Sequence, residues 1–301
     1  MRSGSLVSAL AAASAVQAGP THTVQQKPRQ VSLPPVTATG NAFFVNGERF
    51  FVRGVDYQPG GSSLNIDPLA DPDVCTPDIE KFKKLGINVI RVYSTDNSKD
   101  HSVCMNLLAE AGIYVVLDAN NPKYSINREK PAPSYNAEYL QSIFATIDEF
   151  GKYTNTMAFF SGNEVIHDKV ETTRAARFVK AVTRDMRQYI RTRLDRQILV
   201  GYSAADVADN RMQTAAYFNC GTDDERSDFF AFVCDILSCA CAFCNMLTPG
   251  PRMTIRGAPA TSRRPAGTSK SRTSQATASP SSCRNMGASP TSETLVRWRL
   301  S

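Results

Sequence analysis

The sequence predicts an α/β protein whose fold is an incomplete (β/α)8 barrel, with about six of the eight strands present. Short apolar, β-prone runs alternate with helical patterns from residue 41 to residue 232. Polar side chains stand directly after several of these runs, where the functional residues of a barrel collect. Regular alternation of strand and helix favours a parallel sheet with helices packed outside it.

Six segments have the length and composition of buried parallel strands. They are rich in Val, Ile and Phe, and helix or turn signals separate them. The segments are residues 51–55, 88–93, 113–118, 157–162, 197–202 and 228–232.

Four segments between these strands have the apolar spacing of one helix face, and local signals mark their ends. For the first segment, Thr76 is the predicted N-cap, Pro77 the first helical residue and Gly86 the end. Apolar residues at three- and four-residue spacing predict three further helices. These cover residues 103–111, 140–150 and 179–190.

An open, doubly wound sheet would explain the same alternation. Such sheets usually carry a glycine-rich phosphate loop after the first strand. Gly60 and Gly61 follow Gln58 but lack the spacing of that loop. The barrel is therefore the favoured interpretation.

The N-terminal residues differ in composition from the alternating segment. Residues 1–18 contain one basic residue, a short apolar run and small residues near Ala18, which predicts a cleaved secretory signal. The alternative is a frayed, disordered start. Residues 19–40 are rich in Pro, Thr and Gln and are interpreted as a linker. No apolar run has the length that a transmembrane helix needs.

The net charge of +6 comes from residues 233–301, where nine Lys or Arg stand against two acidic residues. A basic stretch can bind nucleic acid. A secreted protein has little access to nucleic acid, so no such partner is expected. Four cysteines crowd between residues 234 and 244, without a nearby His and without the spacing of a zinc finger. No metal site is expected.

The motif Ser161-Gly162-Asn163-Glu164 ends the fourth predicted strand and suits glycoside chemistry. The Glu can protonate a leaving glycosidic oxygen, and the Asn can hold a sugar 2-hydroxyl whose hydrogen bond strengthens in the transition state. An Asn-Glu pair in an ordinary loop is usually solvated surface. Its position after a barrel strand favours the catalytic interpretation.

Several longer motifs closely resemble the catalytic domain of glycoside hydrolase family 72. These enzymes are the GPI-anchored β-1,3-glucanosyltransferases of fungal cell walls. The first motif begins at Asn41 and ends at Gly61 with Val-Asp-Tyr-Gln-Pro-Gly-Gly, and another is Phe159-Phe-Ser-Gly-Asn-Glu-Val165. The full set covers residues 41–61, 86–93, 122–127, 159–165, 200–206 and 223–232.

The resemblance implies a retaining transglycosylase on a (β/α)8 barrel, acting on β-1,3-glucan donor and acceptor chains without metal or cofactor. Glu164 would be the acid/base, and a second Glu after the seventh strand would be the nucleophile. The implied glucan-contacting residues are Gln58, Tyr93, Asp118, Asn163 and Tyr202. Alternatives remain at this stage: the two tyrosines could be core aromatics, and the Asp could be only a hydrogen bonder at the barrel mouth.

The resemblance also carries implications for cysteines and for location. Cys75 and Cys104 are similar to a disulfide pair of the family, whereas the partner that Cys220 would normally have is missing from the sequence. The family implies a secreted protein on the outer face of the plasma membrane or in the cell wall. A GPI anchor is expected for the family, but its signal is absent from this sequence.

After Phe232 the sequence departs from the family. The family motif that holds the nucleophile is Leu-Ser-Glu-Tyr-Gly-Cys, and codons for Ser-Glu-Tyr-Gly-Cys read one base out of frame can encode Arg284-Asn-Met-Gly-Ala288. Likewise Ser-Trp-Cys becomes Arg256-Gly-Ala258. Residues 233–252 are therefore interpreted as a translated intron, and residues 253–301 as an out-of-frame, disordered tail.

The literal chain is consequently expected to lack the nucleophile and to be inactive. The only acidic residues after Phe232 are Asp235 and Glu293, and neither follows a predicted strand. Two rival functions remain open: a catalytically dead β-1,3-glucan-binding protein and a plain β-1,3-glucanase.

Overall fold

The computed structural model describes residues 31–61, 63–233 and 295–298. Three short antiparallel strands come first: β1 (Val36–Thr39), β2 (Ala42–Val45) and β3 (Glu48–Phe50). Six strands that lie further apart along the chain follow: β4 (Gly54–Asp56), β5 (Val89–Val92), β6 (Tyr114–Asp118), β7 (Thr156–Asn163), β8 (Leu199–Ala204) and β9 (Phe229–Val233). Each of these six overlaps one of the predicted strands.

Helices occupy the connections between the parallel strands. They are α1 (Pro72–Leu85), α2 (Ser102–Glu110), the single turn α3 (Pro131–Ser134), α4 (Ala137–Gly151), α5 (Ala176–Arg193) and α6 (Arg211–Asn219). A 3-10 helix, Val170–Ala175, leads directly into α5. The four predicted helices correspond to α1, α2, α4 and α5.

The predicted start of the first helix is wrong. Helix α1 begins at Pro72, and the Oδ1 atom of Asp71 accepts a hydrogen bond from the Asp73 N–H at 3.0 Å. The same signal of a capping residue followed by proline therefore occurs earlier in the chain, and Pro77 lies inside the helix. The predicted end is confirmed, because Gly86 takes the left-handed conformation with φ 67°.

The order of the strands distinguishes a barrel from an open sheet. Strands β4 to β9 are hydrogen-bonded in chain order, and each neighbouring pair is parallel. A doubly wound sheet reverses its strand order at a switch point, and the described strands contain no such reversal. The architecture is an incomplete (β/α)8 barrel, as predicted.

A short strand, β10 (Leu295–Trp298), was not predicted from the sequence. It pairs in parallel with β9 and extends the sheet to seven strands. An edge strand presents unpaired backbone N–H and C=O groups, to which an apolar, β-prone segment can add. The rest of the predicted out-of-frame tail, and the predicted intron after Val233, lie outside the described residues.

Two apolar layers line the faces of the sheet, because successive side chains of a strand point to opposite sides. Ile90, Val115 and Val200 belong to the layer that packs under the helices. Val89 and Val116 belong to the layer inside the curl of the sheet. Burying one such side chain contributes about 1.5–3 kcal/mol, so the two layers hold the sheet and helices together.

The three antiparallel strands cover the N-terminal end of the barrel. The ring of Phe43 contacts that of Phe229 with centroids 5.6 Å apart, and Phe50 contacts Tyr114 at 5.5 Å. Phe229 and Tyr114 are the first residues of β9 and β6. The covered end is therefore opposite to the one where the strand-end polar residues collect.

The linker predicted over residues 19–40 needs a correction at its C-terminal part. The Leu33 N–H donates to Thr154 Oγ1 at 3.0 Å, and the Tyr114 hydroxyl donates to the Pro34 carbonyl at 2.8 Å. Val36 is buried and pairs with Val45. These residues belong to the folded domain because their apolar side chains pack under the barrel. The predicted signal, 1–18, and the first part of the linker lie outside the described residues.

Candidate active site

A cleft of about 600 Å³ lies at the C-terminal ends of the first barrel strands. Four of the predicted glucan-contacting residues line it: Gln58, Tyr93, Asp118 and Asn163. They come from the ends of β4, β5, β6 and β7, which the parallel sheet brings side by side. The remainder of the wall includes several amides from loops, namely Asn65, Asn120, Asn121 and Asn127.

Arg91 organises the floor of this cleft. Its guanidinium donates to both carboxylate oxygens of Asp118 at 2.9–3.1 Å, and its Nη2 also donates to Asn163 Oδ1 at 3.0 Å. The guanidinium carbon lies 4.1 Å from the ring centre of Tyr93 and 4.5 Å from that of Phe160. Arg91 is 1% exposed, so the network fixes three strand ends relative to one another.

The carboxyl group of Asp118 is held in a buried, crowded environment. Burial raises its pKa to about 6, although the adjacent Arg91 guanidinium acts in the opposite direction. The negative charges of Asp56 and Glu164 raise the pKa further. Burial also raises the pKa of Asp56, which faces the same guanidinium from the end of β4. The cleft floor is thus a cluster of carboxyl groups around one cation.

Glu164 is not among the described lining residues of the cleft, but it lies between two of them, directly after β7, in a strained backbone conformation. Its φ is 48°, which is uncommon for a residue other than glycine. The conformation is held at both ends of the residue: its N–H donates to the Ser203 carbonyl at 2.8 Å, and its carbonyl accepts from Arg128 Nη2 at 2.9 Å. The register of β7 against β8 shifts between Phe160 and Asn163. This irregularity lets Asn163 and Glu164 leave the regular pleat.

The carboxylate of Glu164 differs from that of Asp118 in having no hydrogen bond or ion pair within residues 31–61 and 63–233. Both of its sequence neighbours, Asn163 and Val165, line the cleft. A carboxyl group in this position is available to exchange a proton with a bound molecule, as a general acid/base requires.

Tyr202 does not line the cleft, and the implied role as a glucan contact is wrong for this residue. Its side chain is 0% exposed and stacks on Phe218 with ring centroids 4.1 Å apart. Its hydroxyl accepts a hydrogen bond from the Ile166 N–H at 3.1 Å. On β8 the alternation places Tyr202 with Val200 in the layer under the helices. The core-aromatic alternative is therefore correct.

The sequence reasoning missed the importance of two basic residues. The sequence analysis assigned no role to Arg91, yet this residue shares the inner face of β5 with Val89. A charged residue at an inward position of a barrel strand is a signal that the alternation could have supplied. Arg128 lies in the loop after β6, and its contact with the Glu164 backbone has no local sequence signal.

A second cavity of about 620 Å³ lies between the 3-10 helix, the start of α5 and α6. Arg174, Arg177, Tyr217 and Phe218 are among the residues that line it, and the part of its wall that the described residues form contains no Asp or Glu. The cleft at the strand ends is therefore the candidate active site, since glycoside chemistry needs carboxyl groups.

The predicted disulfide between Cys75 and Cys104 is confirmed and joins α1 to α2. Cys220 is also disulfide-bonded. Among the described residues, no group of three or more His, Cys, Asp or Glu side chains is arranged so that it could hold a metal ion. Within the same residues, no helix combines the length and the apolar character needed to span a bilayer.

Comparisons with known proteins agree with this geometry. The family model described as glucanosyltransferase, of glycoside hydrolase family 72, matches residues 26–243. The 1,3-beta-glucanosyltransferase gel1 of Aspergillus fumigatus is 61% identical over 233 residues, covering 77% of this chain and 50% of the relative. The 1,3-beta-glucanosyltransferase gas4 of Schizosaccharomyces pombe is 60% identical over 200 residues, covering 66% and 43%.

A solved structure gives the same result. Saccharomyces cerevisiae Gas2p in complex with laminaritriose and laminaritetraose is 41% identical, with a TM-score of 0.62, covering 66% of this chain and 45% of that chain. The chain spans about half the length of the curated relatives it matches. The matched motifs, the chain-ordered barrel and the carboxyl cluster at its mouth agree: this chain belongs to the glucanosyltransferases of glycoside hydrolase family 72.

Proposed function

We propose that the gene encodes a β-1,3-glucanosyltransferase, which cleaves a β-1,3-glucan chain and joins the retained part to an acceptor chain. The observation that carries this proposal is the pair Asn163-Glu164 at the end of β7. The Glu164 carboxylate has no hydrogen bond or ion pair to another described residue, and Arg91 fixes the neighbouring Asn163. The relatives named 1,3-beta-glucanosyltransferase support the reaction class.

Glu164 acts as the acid/base in this proposal. As the acid, it protonates the glycosidic oxygen of the departing chain while a carboxylate nucleophile forms a covalent glycosyl-enzyme. As the base, it removes the proton from the 3-hydroxyl of an acceptor glucan, which attacks the glycosyl-enzyme in place of water. Retention of configuration requires the two carboxyl groups to be about 5–5.5 Å apart. Neither step needs a metal or an organic cofactor.

The residues of the cleft suit recognition of a neutral sugar. Gln58 and Asn163 offer amide groups, and the half-buried ring of Tyr93 offers an apolar face. Arg91 packs against that ring, so the position of Tyr93 is set before a ligand binds. The laminari-oligosaccharides bound by Gas2p support β-1,3-glucan as the ligand class. Asp118 contributes mainly by fixing Arg91, which in turn holds Asn163.

The nucleophile is proposed to be encoded in the gene but misread in this chain. Residues 233–252 would be a retained intron, and residues 253–301 the following exon read one base out of frame, with the nucleophile codon hidden in Arg284-Asn285-Met286. The 301-residue chain would then bind glucan at most and would not transfer it.

A comparison of two proteins tests this proposal. One is the 301-residue chain, and the other is the frame-restored chain, in which the proposed intron is removed and translation continues in the family's frame. We expect the frame-restored chain to convert laminari-oligosaccharides into products longer than the substrate, and the 301-residue chain to form none. Elongation by the purified 301-residue chain would refute the proposed loss of activity. Transcripts without a splice at residues 233–252 would refute the intron.

A glucan-binding protein without catalysis is the second candidate for the chain as written. The observation that favours it is that the described lining of the cleft and the Arg91 network come from residues 58–165. Retention of the 301-residue chain on insoluble β-1,3-glucan, without product formation, would support this role. A plain β-1,3-glucanase would give only products shorter than the substrate from the frame-restored chain.

The proposed location is outside the cell, at the plasma membrane or in the wall. The predicted signal at residues 1–18 and the disulfide between Cys75 and Cys104 support an oxidising, secreted environment. Detection of a protein that begins at Gly19 in the culture medium or wall fraction would test it.

A further inference from the structure

One histidine outside the cleft is buried between charged side chains. His101 precedes α2 and is 0% exposed. Its Nδ1 lies 2.8 Å from Glu149 Oε1, and its Nε2 lies 2.9 Å from Asp67 Oδ2. An ionised carboxylate can only accept a hydrogen bond. When both carboxyl groups are ionised, both bonds form only if both ring nitrogens carry protons, as in an imidazolium.

The surroundings of the ring favour this charged state. Burial by itself would lower the pKa of His101, but the hydrogen bonds to Asp67 and Glu149 outweigh burial and raise it. The charged groups near the ring come from three elements, and acids outnumber bases among them. They are Asp67 of the loop between β4 and α1, Asp96, Lys99 and Asp100 before α2, Glu149 near the end of α4, and Lys152 directly after α4. The neutral hydroxyl of Tyr153 also donates to Glu149 Oε1 at 3.3 Å.

Asp67 connects this histidine to the wall of the cleft. It is 4% exposed at its side chain, and its Oδ2 also accepts the Asp96 N–H at 2.7 Å. Asp67 belongs to the loop between β4 and α1, which carries Gln58 and Asn65 to the cleft. Asn65 lies only two residues before Asp67 and has a φ of 41°, a conformation that needs support from its surroundings.

We propose that His101 is a positioning residue: while both ring nitrogens carry protons, it fastens the loop between β4 and α1 to α4 and holds Gln58 and Asn65 at the cleft wall. The expected effect of His101 on glucan binding rests on the proposed function of the cleft. The attachment of the loop to α4 is independent of that function, because it can be measured without glucan.

The direction of the pH effect follows from the linkage between protonation and folding. A histidine with a raised pKa in the folded state contributes stabilisation that is complete below its ordinary pKa and is lost as the pH rises through the raised value. Loss of the proton removes one donor and leaves a buried carboxylate facing a bare nitrogen. The loop between β4 and α1 should therefore loosen as the pH rises through the raised pKa of His101.

Hydrogen–deuterium exchange of the 301-residue chain, without ligand, tests the proposal. With exchange rates corrected for their intrinsic pH dependence, residues 63–70 should lose protection as the pH rises, while strands β5 to β8 keep theirs. His101→Gln should raise exchange of this loop at least about tenfold at low pH, as expected for loss of a hydrogen bond to a charged group, and should abolish the pH step. Glu149→Gln should move the step to lower pH. His167→Gln, at a partly exposed histidine, is the matched control and should leave the step unchanged.

Two results would overturn the proposal. One is exchange of the loop that is independent of pH in the unsubstituted chain, including a loop that is unprotected throughout. The other is equal loss of protection in the loop and in β5 to β8 for His101→Gln, which would indicate a general role in stability. Binding of laminaripentaose, measured separately, should weaken in parallel with loop exchange. Absence of binding in all variants would count against the proposed function, while the exchange data would still decide the role of His101.

Discussion

The carboxyl groups at two neighbouring strand ends have opposite environments. At the end of β6, Asp118 is 5% exposed and receives bidentate hydrogen bonds from Arg91. At the end of β7, Glu164 sits on a left-handed backbone with its carboxylate unpaired among residues 31–61 and 63–233. The first arrangement fixes geometry, whereas the second leaves a group that can move a proton.

The difference shows that different residues at the barrel mouth position the site and react with a ligand. A carboxylate that is held by a guanidinium from a rigid strand has little freedom to act on a ligand. Its partner Arg91 also donates from Nη2 to Asn163 Oδ1 and so orients the neighbour of Glu164. The network therefore places an amide beside the reactive group and does not restrain the reactive group itself.

The largest expected effect comes from Glu164→Gln in the frame-restored chain. The rate of laminari-oligosaccharide elongation should fall by about 10²–10⁴-fold, which is the usual contribution of general acid–base catalysis. Binding of laminaripentaose should persist, because Gln keeps the shape of the side chain. Glu171→Gln, on the exposed side of the 3-10 helix, is the matched control. An unchanged rate in Glu164→Gln would remove the distinction between the two strand ends.

The next effect concerns the stability of the Asp118 strand end. Arg91→Met leaves a buried carboxyl group without its cation, so the free energy of unfolding should fall by about 3–5 kcal/mol. The double variant Arg91→Met, Asp118→Leu should recover much of this loss, because no unpaired charge remains. Urea denaturation of the 301-residue variants measures both values. A loss below about 1 kcal/mol for Arg91→Met would contradict the structural role of the pair.

A smaller effect should appear in the pH dependence of stability. The folded pKa of Asp118, about 6, is higher than its ordinary value of 3.8. Unfolding therefore releases a proton between about pH 4 and pH 6, and the contribution of this residue to the free energy of unfolding decreases as the pH rises. Relative to Asp118→Asn, the chain should lose about 2–3 kcal/mol across this window. Parallel stability curves for the two proteins would contradict the raised pKa.

The smallest effect is expected at Tyr202. Tyr202→Phe removes one buried hydrogen bond to the Ile166 N–H and should cost about 0.5–1.5 kcal/mol of stability. Affinity for laminaripentaose should not change, because the ring lies under the helices. Tyr93→Ala, which alters the cleft wall, should weaken binding in the same assay. Weaker binding by Tyr202→Phe would restore the original interpretation of Tyr202 as a glucan contact.

Local sequence patterns were sufficient to predict the barrel strands and the candidate acid/base, Glu164. The apolar runs gave the positions of β4 to β9, and Gly86 marked the end of α1 because only a residue tolerant of a positive φ fits there. The motif around Glu164 placed a carboxyl group after the fourth barrel strand, which the structure confirms. These features depend on residues close together in the chain.

Other features depend on contacts between residues far apart in the chain, which local patterns do not encode. Residues 33–39 resemble a linker in composition but pack under the barrel through Val36 and the bond from Tyr114 to Pro34. Tyr202 resembles a cleft residue until the outward face of β8 is known. His101 gains its two carboxylate partners only when the loop between β4 and α1 meets α4.

The sequence alone therefore determined the family, the strand order along the chain and the identity of the candidate acid/base. The tertiary structure decided which strand-end side chains face the cleft and which carboxyl groups are neutralised by a cation. It also placed the Glu164 carboxylate on a strained backbone, without a hydrogen bond or ion pair to the rest of the described chain. The physical reason is that periodicity and caps act within a few residues, whereas burial and charge pairing depend on which strands and loops become neighbours.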